Sequence, residues 1–273
     1  MLNEQQVAFF KEQGYVLGGR VLSDDQIEQL REETLRVIGQ KDDKTVKQPV
    51  MCHNMGRPEA PVWQIVNIWM ASQPFLKHAL SNPTICEEVA QLHDGAESLR
   101  IWHDQIQYKP AGQGGVNMWH QDSPYWGILT PKHAQVTAWV ALDDVDESNG
   151  CMSMVPRSHL WGNAIQFLHT LKQFDDMRST KEWDGHPIEV KYAPVKKGHV
   201  HYHHSLTWHG SHANTSDRPR RAIALHYMTN ETRYVAGGNH PMKQFVHVED
   251  GDVLTGDAFP VVYERNRQMA ISR

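Results

Sequence analysis

The chain has 273 residues, of which 40% are hydrophobic and 22% are charged, and its formal net charge is −5. This composition is ordinary for a globular protein, argues against a broad basic surface for nucleic acid, and includes no apolar run long enough to cross a bilayer. The first residues contain neither a basic segment nor an apolar leader, so we expect a cytoplasmic protein with no membrane or nucleic-acid partner. Three widely spaced cysteines disfavour a disulfide framework and a cysteine-rich zinc site.

The first 95 residues are predicted to be mainly helical, because they contain three helix-start signals. In each signal a capping side chain precedes an apolar pattern, with a glutamine three residues later or a proline directly after it. The cap pairs are Asn3 with Gln6, Ser23 with Gln26, and Asn82 with Pro83, and the first and third helices are expected to end near Gly14 and Gly95. A short strand is expected at 15–17, and the polar residues 40–61 are predicted to form a loop.

From residue 99 onward the pattern changes to short apolar runs separated by turns, which is typical of antiparallel strands. Strands are predicted at 99–108, 116–122, 134–142, 151–155, 198–204, 206–211 and 220–228. Many strands with few intervening helices favour a mainly β fold with flanking helices, built as a barrel or a sandwich. Residues 160–190 are interpreted as an insertion with a helix and a loop that covers a pocket. We expect one domain over 1–273, in which helices in about 1–95 support a core of about 96–230.

Two metal-ligand side chains, His120 and Asp122, are separated by one residue in the predicted strand 116–122. Side chains at i and i+2 of a strand point to the same face, so this strand offers an imidazole and a carboxylate to one ion. One histidine and one carboxylate hold a metal weakly, and a third ligand is needed. The 2-His-1-carboxylate face of non-haem Fe(II) oxygenases is the site that such a ligand would complete.

The segment 207–221 contains a second histidine and an arginine suited to that site. His209 is the candidate third ligand, and Arg220 lies on the next apolar strand, where a planar guanidinium can pair with a carboxylate cosubstrate. A shift of the strand register would make Arg218 or Arg221 the partner instead. A further run, His199, His201 and His203, places imidazoles on one face of a strand, where they either line the pocket or imitate a metal site.

Six segments in one order carry a family resemblance. They are the opening Gln-Val-Ala-Phe-Phe-Lys-Glu-Gln-Gly-Tyr-Val, Trp-His-Gln-Asp-Ser-Pro-Tyr at 119–125, Trp-Val-Ala-Leu-Asp-Asp at 139–144, Asn-Gly-Cys-Met at 149–152, Val-Pro-Arg-Ser-His at 155–159, and His-Gly-Ser followed by Asn, Ser and Arg from 209. Together they resemble the phytanoyl-CoA dioxygenase family of Fe(II)/2-oxoglutarate-dependent oxygenases over most of the chain. Arg157 stands where the family usually has a glycine.

The resemblance implies a double-stranded β-helix, that is, a cupin-like jelly-roll barrel with a metal inside its mouth. It also implies Fe(II) as the cofactor, with 2-oxoglutarate and O2 as cosubstrates. The implied iron ligands are His120, Asp122 and His209, the implied partner of the distal 2-oxoglutarate carboxylate is Arg220, and the implied cosubstrate-pocket residues are Gln105, Trp139, Ser211 and Gln64. The carboxylate at 122 disfavours halogenation, because related halogenases lack it.

We therefore expect an Fe(II)/2-oxoglutarate-dependent dioxygenase that hydroxylates, cyclises or desaturates a small molecule in secondary metabolism and releases succinate and CO2. Nine tryptophans suit a sugar-like or polycyclic substrate, and basic residues are too sparse for a CoA thioester. Two alternatives from other classes are a noncatalytic metal-containing jelly-roll binding protein and a cupin-type metal-dependent hydrolase or isomerase. Segments 40–61 and 160–190 are candidates for closing the site or for contacting a second subunit.

Overall fold

The computed structural model describes residues 1–112 and 114–265. The α-helices are α1 (Glu4–Gln13), α2 (Asp24–Gly39), α3 (Gln73–Phe75), α4 (Pro83–Leu92), α5 (Ile165–Leu168) and α6 (Asp176–Ser179). The strands are β1 (Tyr15–Arg20), β2 (Met51–Asn54), β3 (Trp63–Val66), β4 (Ser98–Lys109), β5 (Asn117–His120), β6 (Leu129–Thr130), β7 (Gln135–Ala141), β8 (Met152–Val155), β9 (Glu182–Trp183), β10 (His186–Pro187), β11 (Lys191–Ala193), β12 (His199–His204), β13 (Trp208–Ser211), β14 (Arg220–Thr229), β15 (Arg233–Tyr234) and β16 (Val261–Glu264).

Two antiparallel sheets form the body of the fold. The larger sheet has the order β1-β12-β7-β14-β4-β3-β2, and β16 also pairs with β4. The smaller sheet has the order β11-β8-β13-β5. The predicted mainly β fold with flanking helices, of jelly-roll type, is confirmed, although strand pairing in the described residues does not close the two sheets into a continuous barrel.

The helices cover the outer face of the larger sheet, and the opposite face is left for the site. Alternation along β14 shows this division, since Ile223 and Leu225 belong to the main core with α1, α2 and α4, whereas Ala222 and Ala224 pack with Trp139 in a separate cluster. The inward face therefore has small side chains at the centre of β14. Small side chains there leave room for a cavity between the sheets.

The predicted helix starts are confirmed. Asn3 with Gln6 and Ser23 with Gln26 both form reciprocal capping boxes, and the Asn82 side chain accepts hydrogen bonds from the first turn of α4. α1 ends at Gly14, whose φ of 82° is in the left-handed region that glycine adopts without strain. Local hydrogen bonding explains why these boundaries are readable from sequence.

The prediction of a loop over 40–61 is wrong for residues 51–54, which form the edge strand β2. β2 pairs with β3, and β3 in turn pairs with the second half of the cavity-side strand β4, where Val66 lies opposite Gln105. The sequence of β2 does not alternate, because an edge strand that is only partly buried needs no strict apolar period.

Among the described residues, none of the helices combines the length and the apolar character that a bilayer crossing requires.

A buried carboxylate, Asp104, connects β4 to the turn at 67–70. It accepts hydrogen bonds from the backbone N–H groups of Ile68 (3.0 Å) and Trp69 (3.3 Å). Burial outweighs these bonds and raises the pKa of Asp104 from 3.8 to about 7. A raised pKa means that the folded state binds this proton more tightly than the unfolded state, so its contribution to stability is complete below pH 3.8 and is lost as the pH rises to about 7.

We expect Asp104→Asn to gain stability relative to the wild type as the pH is raised. The amide keeps one acceptor without the charge, so the difference in free energy of unfolding should grow by up to about 1.4 kcal/mol per pH unit across the titration range. Urea unfolding of both proteins at pH 5, 6, 7 and 8 measures this difference. Parallel pH profiles for the two proteins would show that Asp104 is ionised in the folded state without penalty.

Candidate metal centre

Three metal-ligand side chains converge at the inner face of the smaller sheet. His120 ends β5, Asp122 follows in the next turn, and His209 lies on β13 directly opposite His120 in the antiparallel register. The Nε2 atoms of His120 and His209 lie 3.7 and 3.5 Å from Oδ1 of Asp122. One ligand atom from each residue lies within 4.8 Å of the other two. An ion among these atoms would have two imidazole nitrogens and one carboxylate oxygen as ligands.

The prediction that alternation along one strand directs His120 and Asp122 to the same ion is wrong, although their side chains do meet. The predicted strand 116–122 ends at His120, and Asp122 has helical backbone angles (φ −72°, ψ −58°) at the start of a short 3-10 turn. The backbone N–H of Asp122 donates to the carbonyl of Ser205 (3.0 Å). A turn held by this long-range bond, and not alternation along a strand, directs the carboxylate back to His120.

The hydrogen bonds of the two imidazoles define which nitrogen faces the centre. Nδ1 of His120 lies 2.8 Å from the carbonyl of Met118, and Nδ1 of His209 lies 2.9 Å from the carbonyl of Thr207. A carbonyl only accepts, so both Nδ1 atoms carry the proton and both Nε2 atoms present a lone pair to Asp122. Burial lowers the pKa of each imidazole to about 4. The two Nε2 lone pairs and the Asp122 oxygen repel one another, because no proton lies between them. A divalent cation bound among these atoms would remove that repulsion.

The second oxygen of Asp122 is held by residues outside the triad. Oδ2 accepts hydrogen bonds from Oγ1 of Thr137 (2.8 Å) and from Nε2 of His203 (3.2 Å). Because the Thr137 hydroxyl donates its only proton to Asp122, it must accept from Nδ1 of His226 (2.8 Å). These contacts leave Oδ1 directed toward His120 and His209. They come from β7, β12 and β14, and sequence patterns identified none of the three as partners of Asp122.

The histidine run on β12 divides into different environments. His203 lines the cavity beside the triad, whereas His201 is buried one step further along, stacked on Tyr15 at 5.8 Å between ring centroids. His199 lies at the start of the strand and contacts the carbonyl of Lys197. Among His199, His201 and His203, it is therefore His203 that lies within hydrogen-bonding distance of Asp122.

We expect Thr137→Val to weaken metal binding while leaving the fold intact. Valine has nearly the same shape, but the variant loses the hydrogen bond to Oδ2 and leaves His226 Nδ1 without its acceptor. Loss of such an outer partner typically costs 10–100-fold in metal affinity, so roughly that decrease in Fe(II) affinity is expected. Anaerobic titration with Fe(II) measures the affinity, and Thr34→Val, at a buried threonine that hydrogen-bonds only within α2, is the matched control. Equal Fe(II) affinities for Thr137→Val and wild type would contradict the assigned role.

A cavity of about 630 Å³ opens beside the three metal-ligand side chains. The predicted pocket residues Gln64, Gln105, Trp139 and Ser211 all line it. Both segments predicted to cover the pocket contribute to its wall. Residues 40–61 supply Met51 and Met55, and residues 160–190 supply Leu168, His169 and Leu171.

Arg220 adjoins one end of this cavity. Its side chain is fully buried, lies over the Trp139 ring at 5.4 Å, and donates to Oγ of Ser211 (2.9 Å) and to the carbonyl of Gly150 (3.1 Å). It forms no ion pair with any described residue. Burial lowers the pKa of Arg220 to about 10, which still leaves it protonated at neutral pH. Arg220 does not line the cavity itself but contacts Ser211 and Trp139, which do, so an anion bound at this end would lie beside a guanidinium without a counter-charge.

The neighbouring arginines are already paired. Arg218 forms an ion pair with Asp146 (2.6 Å), and Arg221 forms one with Asp143 (2.8 Å). Among Arg218, Arg220 and Arg221, it is therefore Arg220 whose charge has no counter-charge among the described residues. Lys109, which sequence patterns did not single out, lies opposite Arg220 in the pairing of β14 with β4.

The remaining wall is neutral and rich in rings. Burial lowers the pKa of His226 and of His240 to about 4, and burial followed by the effect of His226 lowers that of His103 further, so these imidazoles are uncharged at neutral pH. Trp126 packs edge-on against His103 and His226. Among the described lining residues there is no lysine or arginine, and Asp122 is the acidic member. The wall thus offers hydrogen-bonding and apolar groups, and the imidazoles of His103, His226 and His240 are uncharged parts of it.

Known proteins resemble this chain in sequence and in fold. A family model described as phytanoyl-CoA dioxygenase (PhyH) matches residues 10–222 of the chain. The rat (Rattus norvegicus) protein named peroxisomal phytanoyl-CoA dioxygenase is 25% identical over 259 residues, which cover 86% of this chain and 71% of the rat protein. The crystal structure of the non-heme alpha ketoglutarate dependent carbocyclase SnoK from nogalamycin biosynthesis is 28% identical, with a TM-score of 0.75 over 96% of this chain and 97% of that one.

A second solved structure shares the fold. The epimerase SnoN in complex with Fe3+, alpha ketoglutarate and nogalamycin RO has a TM-score of 0.72 and 22% identity, and the match covers 95% of this chain and 98% of SnoN. The jelly-roll framework of the two sheets is thus a framework that holds iron and a 2-oxo acid in a similar protein.

Proposed function

The chain belongs to the phytanoyl-CoA dioxygenase family and is an Fe(II)/2-oxoglutarate-dependent dioxygenase, and we propose that His120, Asp122 and His209 are its iron ligands. The observation that carries this proposal is the pair of Nε2 lone pairs directed at one carboxylate oxygen. An ion held by these three residues would keep positions free for a 2-oxo acid and O2. Iron with 2-oxoglutarate and O2 supplies the oxidising power when bound, and 2-oxoglutarate leaves as succinate and CO2.

The protein's own residues orient the cosubstrate. In our proposal Arg220 and Ser211 bind the distal carboxylate, while Trp139, Gln105 and Gln64 form the walls along which the chain of the cosubstrate lies. The unpaired charge of Arg220 supports this assignment, because a buried cation without a partner is costly and a carboxylate offsets that cost. The oxidised C–H bond then belongs to a substrate held in the remainder of the cavity.

We propose that the substrate is a bulky, uncharged small molecule with ring systems, polycyclic or sugar-bearing, from secondary metabolism. The cavity wall carries neutral imidazoles and indoles, and apolar side chains such as Met55, Val116 and Met118 lie exposed at its edge. SnoK is a carbocyclase and SnoN an epimerase of nogalamycin biosynthesis. A CoA thioester fits less well, because Arg220 is assigned to the cosubstrate and no lysine or arginine among the described lining residues is left for the CoA phosphates.

The function is tested by coupled turnover. Purified protein with Fe(II), 2-oxoglutarate and O2 is screened against polycyclic and glycosylated aromatic metabolites, and against acyl-CoA thioesters for comparison. We expect substrate-dependent succinate release, and the mass of the product distinguishes a gain of one oxygen from a loss of two hydrogens. Protein that binds metal and ligand but never consumes 2-oxoglutarate would favour a noncatalytic binding protein. Turnover without O2 would favour a cupin-type hydrolase or isomerase.

A further inference from the structure

Lys109 is a second buried cation beside Arg220, at the end of β4. Its side chain is fully buried, and the two residues are directly paired in the register of β4 with β14. Neither forms an ion pair with a described residue. Burial, and then the charge of Arg220, lower the pKa of Lys109 well below its usual 10.5. Two buried cations without a counter-charge indicate a site for an anion.

The contacts of Lys109 match a protonated amine. Its Nζ donates to Oγ of Ser211 (2.8 Å), to the carbonyl of Ser211 (3.3 Å) and to the carbonyl of His212. An ammonium has three N–H donors, whereas a neutral amine has two, so three acceptors fit the charged form. The hydrogen bonds join residues 102 and 103 positions apart in the chain.

The same contacts determine what the Ser211 hydroxyl can do. Oγ of Ser211 accepts one hydrogen bond from Lys109 (2.8 Å) and another from Nη2 of Arg220 (2.9 Å). A hydroxyl oxygen has two lone pairs, and both are then used. Its single proton has no acceptor among the described residues, while Ser211 lines the cavity. The hydroxyl is therefore left as a donor toward whatever occupies that end of the cavity.

We propose that Lys109 is a positioning residue for the cosubstrate: with Arg220 it makes the Ser211 hydroxyl a donor to the distal carboxylate of 2-oxoglutarate. The inference rests on the proposed function, because the anion is taken to be that carboxylate. Lys109 acts through Ser211 and through its charge, and it does not line the cavity itself. A purely structural lysine would instead only tie the carbonyls of residues 211 and 212 to β4.

The experiment compares two 2-oxo acids that differ only at the distal end. Dissociation constants for 2-oxoglutarate and for 2-oxopentanoate, which has a methyl group in place of the carboxylate, are measured anaerobically with the Fe(II)-loaded protein by calorimetry. Variants are Lys109→Met and Lys109→Gln, of which the second keeps a donor for the carbonyl oxygens and serves if the first does not fold. Lys243→Met is the matched control, because Lys243 also donates to two carbonyls, those of Ala236 and Gly238.

We expect Lys109→Met to raise the dissociation constant of 2-oxoglutarate by roughly tenfold or more, the range of one charge-assisted hydrogen bond, with 2-oxopentanoate unchanged. In a Ser211→Ala background the same substitution should have a smaller effect, since the two residues act through one contact. Unchanged 2-oxoglutarate binding, or equal weakening for both acids, would overturn the role of Lys109. Wild-type protein that binds iron but no 2-oxoglutarate would overturn the proposed function itself, and the inference with it.

Discussion

Asp122→Ala is expected to abolish tight iron binding and 2-oxoglutarate consumption. The substitution removes the carboxylate oxygen that faces both Nε2 atoms, and two neutral imidazoles then remain to hold a divalent cation. Loss of an outer partner alone typically costs 10–100-fold, so loss of the ligand should lower Fe(II) affinity by at least about 100-fold. Anaerobic Fe(II) titration and succinate release measure the two effects separately.

The fold of this variant must be checked independently, because Asp122 also accepts hydrogen bonds from Thr137 and His203. Leaving two buried donors without an acceptor costs about 1–3 kcal/mol each, while removing a buried charge offsets part of that cost. Thermal unfolding without metal reports the balance. Asp104→Ala is the matched control, since it also leaves two buried donors, the N–H groups of Ile68 and Trp69, without an acceptor and lies outside the site. A folded Asp122→Ala protein with wild-type turnover would exclude the proposed triad.

Arg220→Met is expected to reduce 2-oxoglutarate affinity by about 100-fold or more without a comparable loss of iron affinity. The variant removes the buried charge and the contact of Nη2 with Ser211, and a hydrogen bond to a charged group is worth roughly 1.5–3 kcal/mol, which corresponds to about 100-fold in affinity at its upper end. Arg220→Lys should recover only part of the affinity, because an ammonium is a point charge that cannot reproduce the fork. Calorimetric titration of 2-oxoglutarate into the Fe(II)-loaded variants gives the dissociation constants.

Two neighbouring arginines are the controls for this prediction. Arg218 is paired with Asp146 and Arg221 with Asp143, so Arg218→Met and Arg221→Met should leave 2-oxoglutarate affinity within about twofold of wild type, as is usual for residues that lack contact with the ligand. If Arg218→Met or Arg221→Met weakened binding more than Arg220→Met does, the distal carboxylate would have to be assigned to a different arginine. The register of β14 would then need revision.

The parts of the molecule that sequence reasoning predicted are those encoded within a few residues. Helix starts at Asn3, Ser23 and Asn82 are local hydrogen-bonding patterns, and the long strands β4 and β14 have enough apolar residues to be recognised alone. His120, Asp122 and His209 were predicted as iron ligands from the family resemblance, and the fold brings one ligand atom of each within 4.8 Å of the other two. The edge strand β2 was not predicted, because its pairing with β3, and not its own sequence pattern, stabilises it.

Only the folded chain brings together the residues that contact the proposed iron ligands and the proposed cosubstrate site. Thr137 and His203 bind an Asp122 oxygen from positions 15 and 81 residues away, and Lys109 meets Ser211 across 102 residues. Such contacts depend on which strands pair and in which register, and a register shift of one residue would turn each of these side chains to the other face of its sheet. The identity of the chemistry is thus a local property of this sequence, whereas the direction of each lone pair, proton and charge toward the cavity is a property of the paired sheets.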